Sequence, residues 1–314
     1  MENRLKSILF LLVFIFFSII IFFINIENDR KLHSSFYFWE TNYNLKDIKE
    51  KLYIKVLDIN YSNKLEVIKT NFIEKAPENY IPIIFITNKT FLKEDSKIVL
   101  EEILKYLENL EFDEVQIDCD WSDSTKNNYF LFLKELKNRT NKKLSTTIRL
   151  HQIKYFKKTG VPPVDYGVLM YYNMSNLADF NTKNYVLDNI EAKKYHYNFK
   201  NYPLKLKLAL PLYSQAVQFR DKKAVNLFEN IKEYDFKENF EKLENNLYKV
   251  TKSHYFKGKY IYKDDIFRFE DSSESELKIA LNDFFKLSNN SFNEVIFYTI
   301  KYKTKYNLQN LLNN

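Results

Sequence analysis

The stretch that decides the fold is residues 115–120, which read Val-Gln-Ile-Asp-Cys-Asp. Because side chains alternate along a strand, Gln116, Asp118 and Asp120 share one face, and Cys119 lies on the other, apolar face. Carboxylates are rarely buried in a strand unless they are paired or used in chemistry. A parallel strand with an apolar outer face and acids at its carboxyl end is typical of a barrel whose active site lies at that end.

Short apolar segments of this kind recur along the chain and alternate with longer amphipathic ones. The amphipathic periodicity predicts helices over Ile98–Leu110, Tyr129–Leu136 and Ser275–Leu287. About eight strands are needed for a (β/α)8 barrel, so the sequence predicts an α/β fold with one TIM barrel. The predicted strands are Phe36–Trp39, Leu52–Ile59, Ile81–Thr87, Val115–Asp120, Leu144–Arg149, Tyr166–Tyr171, Lys205–Leu210 and Val295–Tyr298.

The segment between the seventh and eighth predicted strands is too long for a single helix. It contains three further strand-like runs, Tyr248–Val250, Lys259–Tyr262 and Ile266–Glu270, with Gly258 as a turn signal. We therefore expect a small β insertion on the barrel between strands seven and eight.

The N-terminus carries an apolar run, Ile8–Ile26, that is long enough to span a bilayer as one helix. Arg4 and Lys6 precede it, which favours a cytoplasmic N-terminus and an extracytoplasmic barrel. We interpret the run as an uncleaved signal anchor in the cell membrane, with cleavage as the less favoured alternative. The predicted organisation is a cytoplasmic N-terminus at 1–7, a transmembrane signal anchor at 8–26, a linker at 27–34 and the barrel domain at 35–314.

Composition and charge narrow the classes of partner. The 48 basic and 41 acidic residues are spread along the chain, so the net charge of +7 reflects a mixed surface, and nucleic-acid binding is not expected. Only three glycines occur, which leaves no Gly-rich phosphate cradle. The four histidines lack metal-ligand spacing, and Cys119 has no cysteine to pair with. No cofactor, metal or intrachain disulfide is predicted.

Three short motifs resemble those of family 18 glycoside hydrolases, the chitinase-like barrels. Asp118-Cys119-Asp120 is similar to the Asp-x-Asp core of their fourth strand, and Met170-Tyr171-Tyr172-Asn173 to their sixth-strand Met-x-Tyr-Asp motif. The segment 208–213, Leu-Ala-Leu-Pro-Leu-Tyr, is similar to their seventh-strand Gly-Leu-Pro-Phe-Tyr. The chain also resembles an uncharacterised bacterial family of such barrels. This resemblance implies a TIM barrel that acts on a glycan.

The same resemblance exposes two departures. The family places its catalytic acid, a Glu, two residues after the second Asp, and here we read that position as Ser122. The sixth-strand Asp is replaced by Asn173. In the family mechanism the Glu protonates the leaving oxygen while the substrate's acetamido group attacks. Because a serine cannot protonate that oxygen, another group would have to serve as the acid.

Candidate catalytic residues follow from the strand ends, which all open onto one mouth in such a barrel. Asp118 and Asp120 would form the electrostatic centre, and Arg149 would pair with Asp120 across neighbouring strands. Purely structural ion pairing of these residues is the alternative. The acids proposed as substitutes are Glu40, Asp58 and Asp123.

Aromatic and polar side chains at the same strand ends are predicted to bind the sugar, because ring faces stack on sugars and amides or hydroxyls bond them. The proposed substrate-binding residues are Trp39, Trp121, Tyr172, Asn173 and Tyr213. His151 would lie at the rim, either as a proton carrier or as a surface histidine.

Two functions remain open from the sequence. The first is a membrane-anchored glycoside hydrolase-like protein that acts on an envelope or extracellular glycan. The alternative is a catalytically inactive glycan-binding barrel that lacks the family's acid Glu and carries Ser122 instead. An acid within hydrogen-bond reach of the cleft centre would favour the enzyme.

Overall fold

The computed structural model describes residues 31–288 and 291–313. The predicted transmembrane segment, Ile8–Ile26, lies outside these residues. Among the residues described, no helix is both long enough and apolar enough to cross a membrane.

Short, mostly apolar strands recur between His33 and Pro211. Val, Ile, Leu, Phe and Tyr fill them, as expected of strands that are covered on both faces. Within the described residues the first ten strands are β1 (His33–Phe38), β2 (Asn42–Tyr43), β3 (Leu52–Tyr61), β4 (Leu65–Lys69), β5 (Asn71–Phe72), β6 (Ile81–Ile86), β7 (Glu114–Asp118), β8 (Lys143–Arg149), β9 (Tyr166–Met170) and β10 (Leu206–Pro211).

A second group of strands follows β10 and ends with the strand that closes the barrel. They are β11 (Ser214–Arg220), β12 (Lys223–Glu229), β13 (Phe240–Lys242), β14 (Leu247–Val250), β15 (His254–Phe256), β16 (Lys259–Ile261), β17 (Ile266–Asp271) and β18 (Ser291–Tyr298).

The helices form where the apolar spacing is three to four residues. Two of the longer ones begin at residues whose side chains cap them: Asp95 accepts a hydrogen bond from the Lys97 backbone N–H, and Ser273 accepts one from the Glu276 backbone N–H. In the described chain the α-helices are α1 (Asn88–Lys93), α2 (Ser96–Leu107), α3 (Lys126–Thr140), α4 (Leu150–Lys154), α5 (Phe156–Thr159), α6 (Asn189–Lys193), α7 (Glu274–Leu287) and α8 (Leu308–Leu312), with 3₁₀ turns at Phe199–Asn201, Glu233–Asp235 and Ile300–Lys305.

Eight of the described strands form a closed parallel barrel. They are adjacent in the order β1-β18-β10-β9-β8-β7-β6-β3, and β1 pairs with β3 to close the ring. The neighbouring pairs are all parallel, for example β7 with β8 and β9 with β10. The predicted TIM barrel is therefore confirmed, and the short hairpin strand β4 extends β3 outside it.

Strand alternation divides the core into two layers. Tyr37, Tyr53, Ile83 and Val168 belong to a cluster inside the barrel. A larger cluster lies between the strands and the helices, and it contains Cys119. Cys119 is therefore a buried residue of the outer layer, as strand alternation predicted, and burial raises the pKa of its thiol.

The amino-terminal end of the barrel is filled by a buried polar network. The Lys207 ammonium donates to the hydroxyls of Tyr53 and Tyr166, both at 2.7 Å, and lies 2.9 Å from a Glu294 carboxylate oxygen. The Tyr166 hydroxyl also contacts Glu114. These groups satisfy one another's hydrogen bonds and fill this end of the barrel. The barrel is open at the carboxyl ends of its strands.

The predicted β insertion is present between the seventh and eighth barrel strands. Five of the described strands form an antiparallel sheet in the order β12-β11-β17-β14-β13, and β15 pairs with β16 beside it. The insertion begins at Ser214, directly after β10, and is therefore larger than the sequence indicated. Its own aromatic core includes Phe228, Phe236 and Phe267.

One predicted strand ends early. The segment Val115–Asp120 was expected to be a strand throughout, but β7 stops at Asp118. The Trp121 backbone N–H donates to the Cys119 carbonyl at 3.0 Å, which turns the chain, and the indole packs into the outer layer. Trp121 thus lies in the same outer layer as Cys119, two residues before it.

Candidate active site

A cleft of about 720 Å³ opens at the carboxyl ends of the barrel strands. Its floor comes from the strands, and one side comes from the insertion, through Gln215 and Glu229. Most of the predicted site residues line it, namely Trp39, Glu40, Asp118, Asp120, Arg149, Tyr172, Asn173 and Tyr213.

Asp118 is the acid at the floor of the cleft. It ends β7 and accepts a hydrogen bond from the Thr147 hydroxyl of β8 at 2.6 Å. Burial raises its pKa to about 6, and the nearby Asp120 carboxylate pushes in the same direction against the Thr147 hydrogen bond. A carboxyl group with this pKa can hold a transferable proton close to neutral pH.

Asp120 is held by Arg149, as the strand alternation of β8 predicted. The guanidinium donates two hydrogen bonds, Nε to Oδ1 at 2.7 Å and Nη2 to Oδ2 at 2.6 Å. This bidentate geometry fixes both side chains, although the Asp120 side chain stays 58% exposed. The hydrogen bond to Asp120 raises the pKa of Arg149 still further. The two aspartates therefore lie in contrasting environments.

Aromatic rings form the walls beside these acids. Trp39 makes edge contacts with Tyr37 and Tyr298, each with centroids 6.1 Å apart. Tyr172 stacks on Tyr298 at 5.9 Å. The Tyr213 hydroxyl donates to the Asn173 side-chain oxygen at 2.6 Å, so these two residues fix each other at the mouth. Flat apolar faces beside buried polar groups are suited to sugar rings.

Trp121 is not brought to this cleft, which corrects the prediction that it lines the mouth with Trp39. It is only 5% exposed, and its ring stacks on Tyr129 of α3 at 5.4 Å. The indole N–H donates to the Thr159 carbonyl at 3.1 Å. The turn after Cys119 sends the side chain outward, so Trp121 borders only smaller cavities beside the cleft.

The acids proposed as substitutes are placed differently from one another. Glu40 reaches the cleft rim and pairs with Lys301 at 3.0 Å. Asp58 does not line the cleft and pairs at 2.6 Å with the buried Lys55 ammonium. Asp123 is exposed and pairs with Lys158 at 3.3 Å, away from the cleft. Both Asp58 and Asp123 are thus committed to ion pairs outside the cleft.

Ser122, the residue at the family's catalytic position, does not line the cleft. Its hydroxyl lies in a hydrogen-bonded group at the start of α3, with Asn88, Ser124 and Thr125. The position that the family resemblance assigns to the catalytic Glu is thus held by a serine engaged in this hydrogen-bonded group. That another residue serves as the acid stays a prediction.

His151 lies on α4, on the far side of the Asp120–Arg149 pair from the main cleft. It borders a neighbouring cavity of about 280 Å³ that also contains Asp120 and Arg149. Burial and the Arg149 charge lower the pKa of its imidazole, which favours the neutral ring.

Sequence reasoning missed several lining residues: Tyr185, Gln215, Glu229 and Tyr298. Tyr298 ends the last barrel strand, and the strand-end rule that selected Trp39 could have found it. Tyr185 lies in an irregular segment, and Glu229 lies in the insertion, so no periodicity marked either one. Among the described residues, no group of three or more His, Cys, Asp or Glu could hold a metal ion.

Two solved structures share this architecture. The Bacillus cereus spore cortex-lytic enzyme SleL superposes with a TM-score of 0.56 at 14% identity, over 91% of this chain and 74% of that one. A chitinase from Chromobacterium violaceum superposes with a TM-score of 0.50 at 10% identity, over 80% of this chain and 87% of that one. No protein-family model and no curated protein sequence matches the chain. The resemblance to chitinase-like barrels, first drawn from three short motifs, is thus confirmed as a shared fold.

Proposed function

We propose that this protein is a glycoside hydrolase that acts on an envelope or extracellular glycan. The observation that carries the proposal is the pair Asp118 and Asp120 at the cleft, one with a raised pKa and the other held by Arg149. Two neighbouring carboxyl groups with contrasting environments are what acid–base cleavage of a glycosidic bond uses. The two solved structures of like fold, a chitinase and a spore cortex-lytic enzyme, support a cell-wall or chitin-like amino-sugar polymer as the substrate class.

The roles follow from the environments. Asp118 donates its proton to the glycosidic oxygen as the bond between that oxygen and the anomeric carbon breaks. Asp120, oriented by Arg149, places negative charge near the positive charge that develops on the sugar ring. A water molecule forms the new bond to the anomeric carbon and gives up a proton to the Asp118 carboxylate, which restores the acid for the next turnover. Trp39, Tyr172 and Tyr213 hold the sugar rings.

The test is turnover of amino-sugar polymers and peptidoglycan fragments by the full-length chain, purified in detergent. General acid catalysis contributes roughly 10²–10⁴-fold, so Asp118→Asn should lower the rate by at least about 100-fold. Asp120→Asn should also lower it strongly, whereas the exposed Asp123→Asn, outside the cleft, should leave it near the wild-type value. Turnover that survives both cleft substitutions would exclude this assignment.

A glycan-binding barrel without activity is the second candidate. It is favoured by one observation, that Arg149 engages both oxygens of Asp120 and leaves Asp118 as the one acid at the cleft floor free of an ion pair among the described residues. Glycan binding that Trp39→Ala weakens, with no turnover of any polymer between pH 4 and 8, would favour binding over hydrolysis.

We further propose that Ile8–Ile26 anchors the barrel outside the cytoplasmic membrane. The support is the length of the apolar run and the basic residues Arg4 and Lys6 before it. The full chain should then sediment with membranes, resist alkaline extraction and be digested by protease added outside intact cells. Release into the medium at a reduced mass would instead indicate cleavage.

A further inference from the structure

One wall of the cleft is an irregular segment, residues 171–188, between β9 and α6. Leu177 and Tyr185 of this segment line the cleft. Segments of this length without helix or strand are uncommon inside a compact domain and are usually functional. What holds this wall in place therefore bears directly on how a substrate is held.

Two oppositely charged residues of β17 reach this segment from the insertion. Arg268 and Glu270 form an ion pair at 2.7 Å, with side chains 1% and 0% exposed. The other guanidinium nitrogens of Arg268 donate to the backbone carbonyls of Asp179 at 2.6 Å and Leu177 at 2.8 Å. The arginine thus bonds the first half of the wall through its backbone.

Glu270 bonds the second half of the wall. One carboxylate oxygen accepts the Tyr185 backbone N–H at 3.1 Å, and the other accepts the Gln215 side-chain amide at 2.6 Å. Gln215 itself lines the cleft. A buried ion pair destabilises the fold unless its other hydrogen-bonding groups are satisfied. Here those groups of Arg268 and Glu270 bond to the wall of the cleft and to Gln215.

The residue held most directly is Tyr185. Its backbone is bonded to Glu270, and it lines the same cleft as Arg149 and Asp120. The wall therefore presents an aromatic ring with a hydroxyl group next to the proposed catalytic acids. A ring in that place can stack on, and hydrogen bond to, a bound sugar.

We propose that Arg268 and Glu270 are positioning residues that hold Tyr185 and Leu177 against the bound glycan and thereby set substrate affinity. The proposal rests on the proposed function for the identity of the ligand. Neither residue touches the cleft, so both act through the wall. We expect their loss to raise KM and to leave kcat nearly unchanged.

The test uses the full-length chain and chitin oligosaccharides or soluble peptidoglycan fragments, whichever the wild type binds. The double variant Arg268→Met/Glu270→Gln removes both charges at similar size and avoids leaving one buried charge unpaired. We expect it to weaken binding or raise KM by about 10-fold or more, with kcat within about 3-fold of wild type. If kcat falls while KM does not change, the positioning role is wrong.

The matched control is Arg220→Met/Asp265→Asn, another ion pair of the same sheet. Arg220 and Asp265 are bonded at 2.8 Å, with Asp265 buried. Neither lines the cleft, and the side-chain hydrogen bonds of Asp265 go to Arg220, Gln218 and Tyr262. This control should leave the affinity unchanged. An equal loss of affinity in the control would show a general effect of destabilising the insertion and would overturn the proposal.

Combining variants shows whether Arg268 and Glu270 act on the glycan through Tyr185 or only through packing of the insertion. If the pair acts through Tyr185, then Tyr185→Ala combined with Arg268→Met/Glu270→Gln should bind no more weakly than the weaker of the two alone. If the affinity losses of the two variants multiply in the combined variant, Arg268 and Glu270 act through residues other than Tyr185.

Amide hydrogen exchange tests the hydrogen bond between Tyr185 and Glu270 in the wild-type chain, so the result does not depend on whether any variant folds. The Tyr185 amide, bonded to buried Glu270, should exchange as slowly as the amides of β11 and β17. Fast exchange of the Tyr185 amide would refute the clamp, meaning the hold of Arg268 and Glu270 on the cleft wall. Slow exchange in a protein that binds no glycan would instead uphold the clamp, overturn its role in affinity and refute the proposed function.

Discussion

Asp118 shows how burial can keep a carboxyl group protonated near neutral pH at a cost to stability. Its pKa is raised to about 6 in the folded protein, because burial disfavours the charged form. In the unfolded chain the pKa of an aspartate is about 3.9. Raising the pH from about 4 to 6 therefore ionises the unfolded state first, and stability falls across this window. Above pH 6 the cost is fully present, on the order of 1–3 kcal/mol.

The first prediction is that Asp118→Asn stabilises the protein at neutral pH. The asparagine oxygen can still accept the Thr147 hydrogen bond, and the charge that burial disfavours is gone. Urea unfolding should show a gain of about 1–3 kcal/mol at pH 7.5 that vanishes near pH 3.5. The exposed Asp123→Asn serves as the control. A gain that does not change with pH would contradict a buried, titrating Asp118.

The second prediction contrasts the two tryptophans. Trp121 is a core residue stacked on Tyr129, so Trp121→Ala should cost about 3–5 kcal/mol of unfolding free energy. Trp39 lines the cleft, so Trp39→Ala should weaken glycan binding by about 10-fold or more at a smaller cost in stability. Urea denaturation and binding titrations on both variants measure this. If Trp121→Phe, which keeps the core filled, also weakens binding, Trp121 belongs to the site after all.

At the scale of elements, the sequence predicted which side chains of a strand face the inside of the barrel, because strand alternation determines this. The inward faces of β7 and β8 follow directly from the period of two, which is why the Asp120–Arg149 pair was expected and is present. The position of Trp121 was missed because it was assigned to the mouth only for following a strand end. The period of two puts it on the outer face with Cys119, where it lies. Tyr185 was missed because its place depends on a long-range bond to Glu270, which leaves no local pattern.

The third prediction concerns the packing of β9 between its neighbours. A Cβ at Gly167 would lie 2.7 Å from Ile148 Cγ1, closer than real Cβ contacts, and 3.0 Å from Leu206 Cδ2, which is also tight. Gly167→Ala should therefore force the core apart and cost about 1–3 kcal/mol of unfolding free energy. Gly258→Ala, at a turn with nothing within 4 Å, is the comparison for backbone strain without crowding. Equal losses in the two variants would rule out crowding as the cause.

At the scale of the whole molecule, the barrel has a chemically distinct end on each side. The amino-terminal end is sealed by the Lys207 network, and β1 enters there at His33. The cleft, the insertion and the wall held by Arg268 and Glu270 all lie at the other end. If Ile8–Ile26 is the anchor, the residues between Ile26 and His33 span at most roughly 20 Å. The sealed end would then lie near the bilayer.

The fourth prediction is that the cleft opens away from the membrane. Cys119 is buried, so single cysteines can be introduced for labelling without removing it. In proteoliposomes, a fluorophore at Lys142→Cys, just before β8 at the sealed end, should be quenched strongly by headgroup-linked quenchers. A fluorophore at Glu229→Cys, at the cleft mouth, should be quenched little. This orientation would present the site to a wall polymer and keep it from lipid. Stronger quenching at Glu229→Cys would mean that the barrel is inverted or lies on its side, and that its substrate is at the membrane surface.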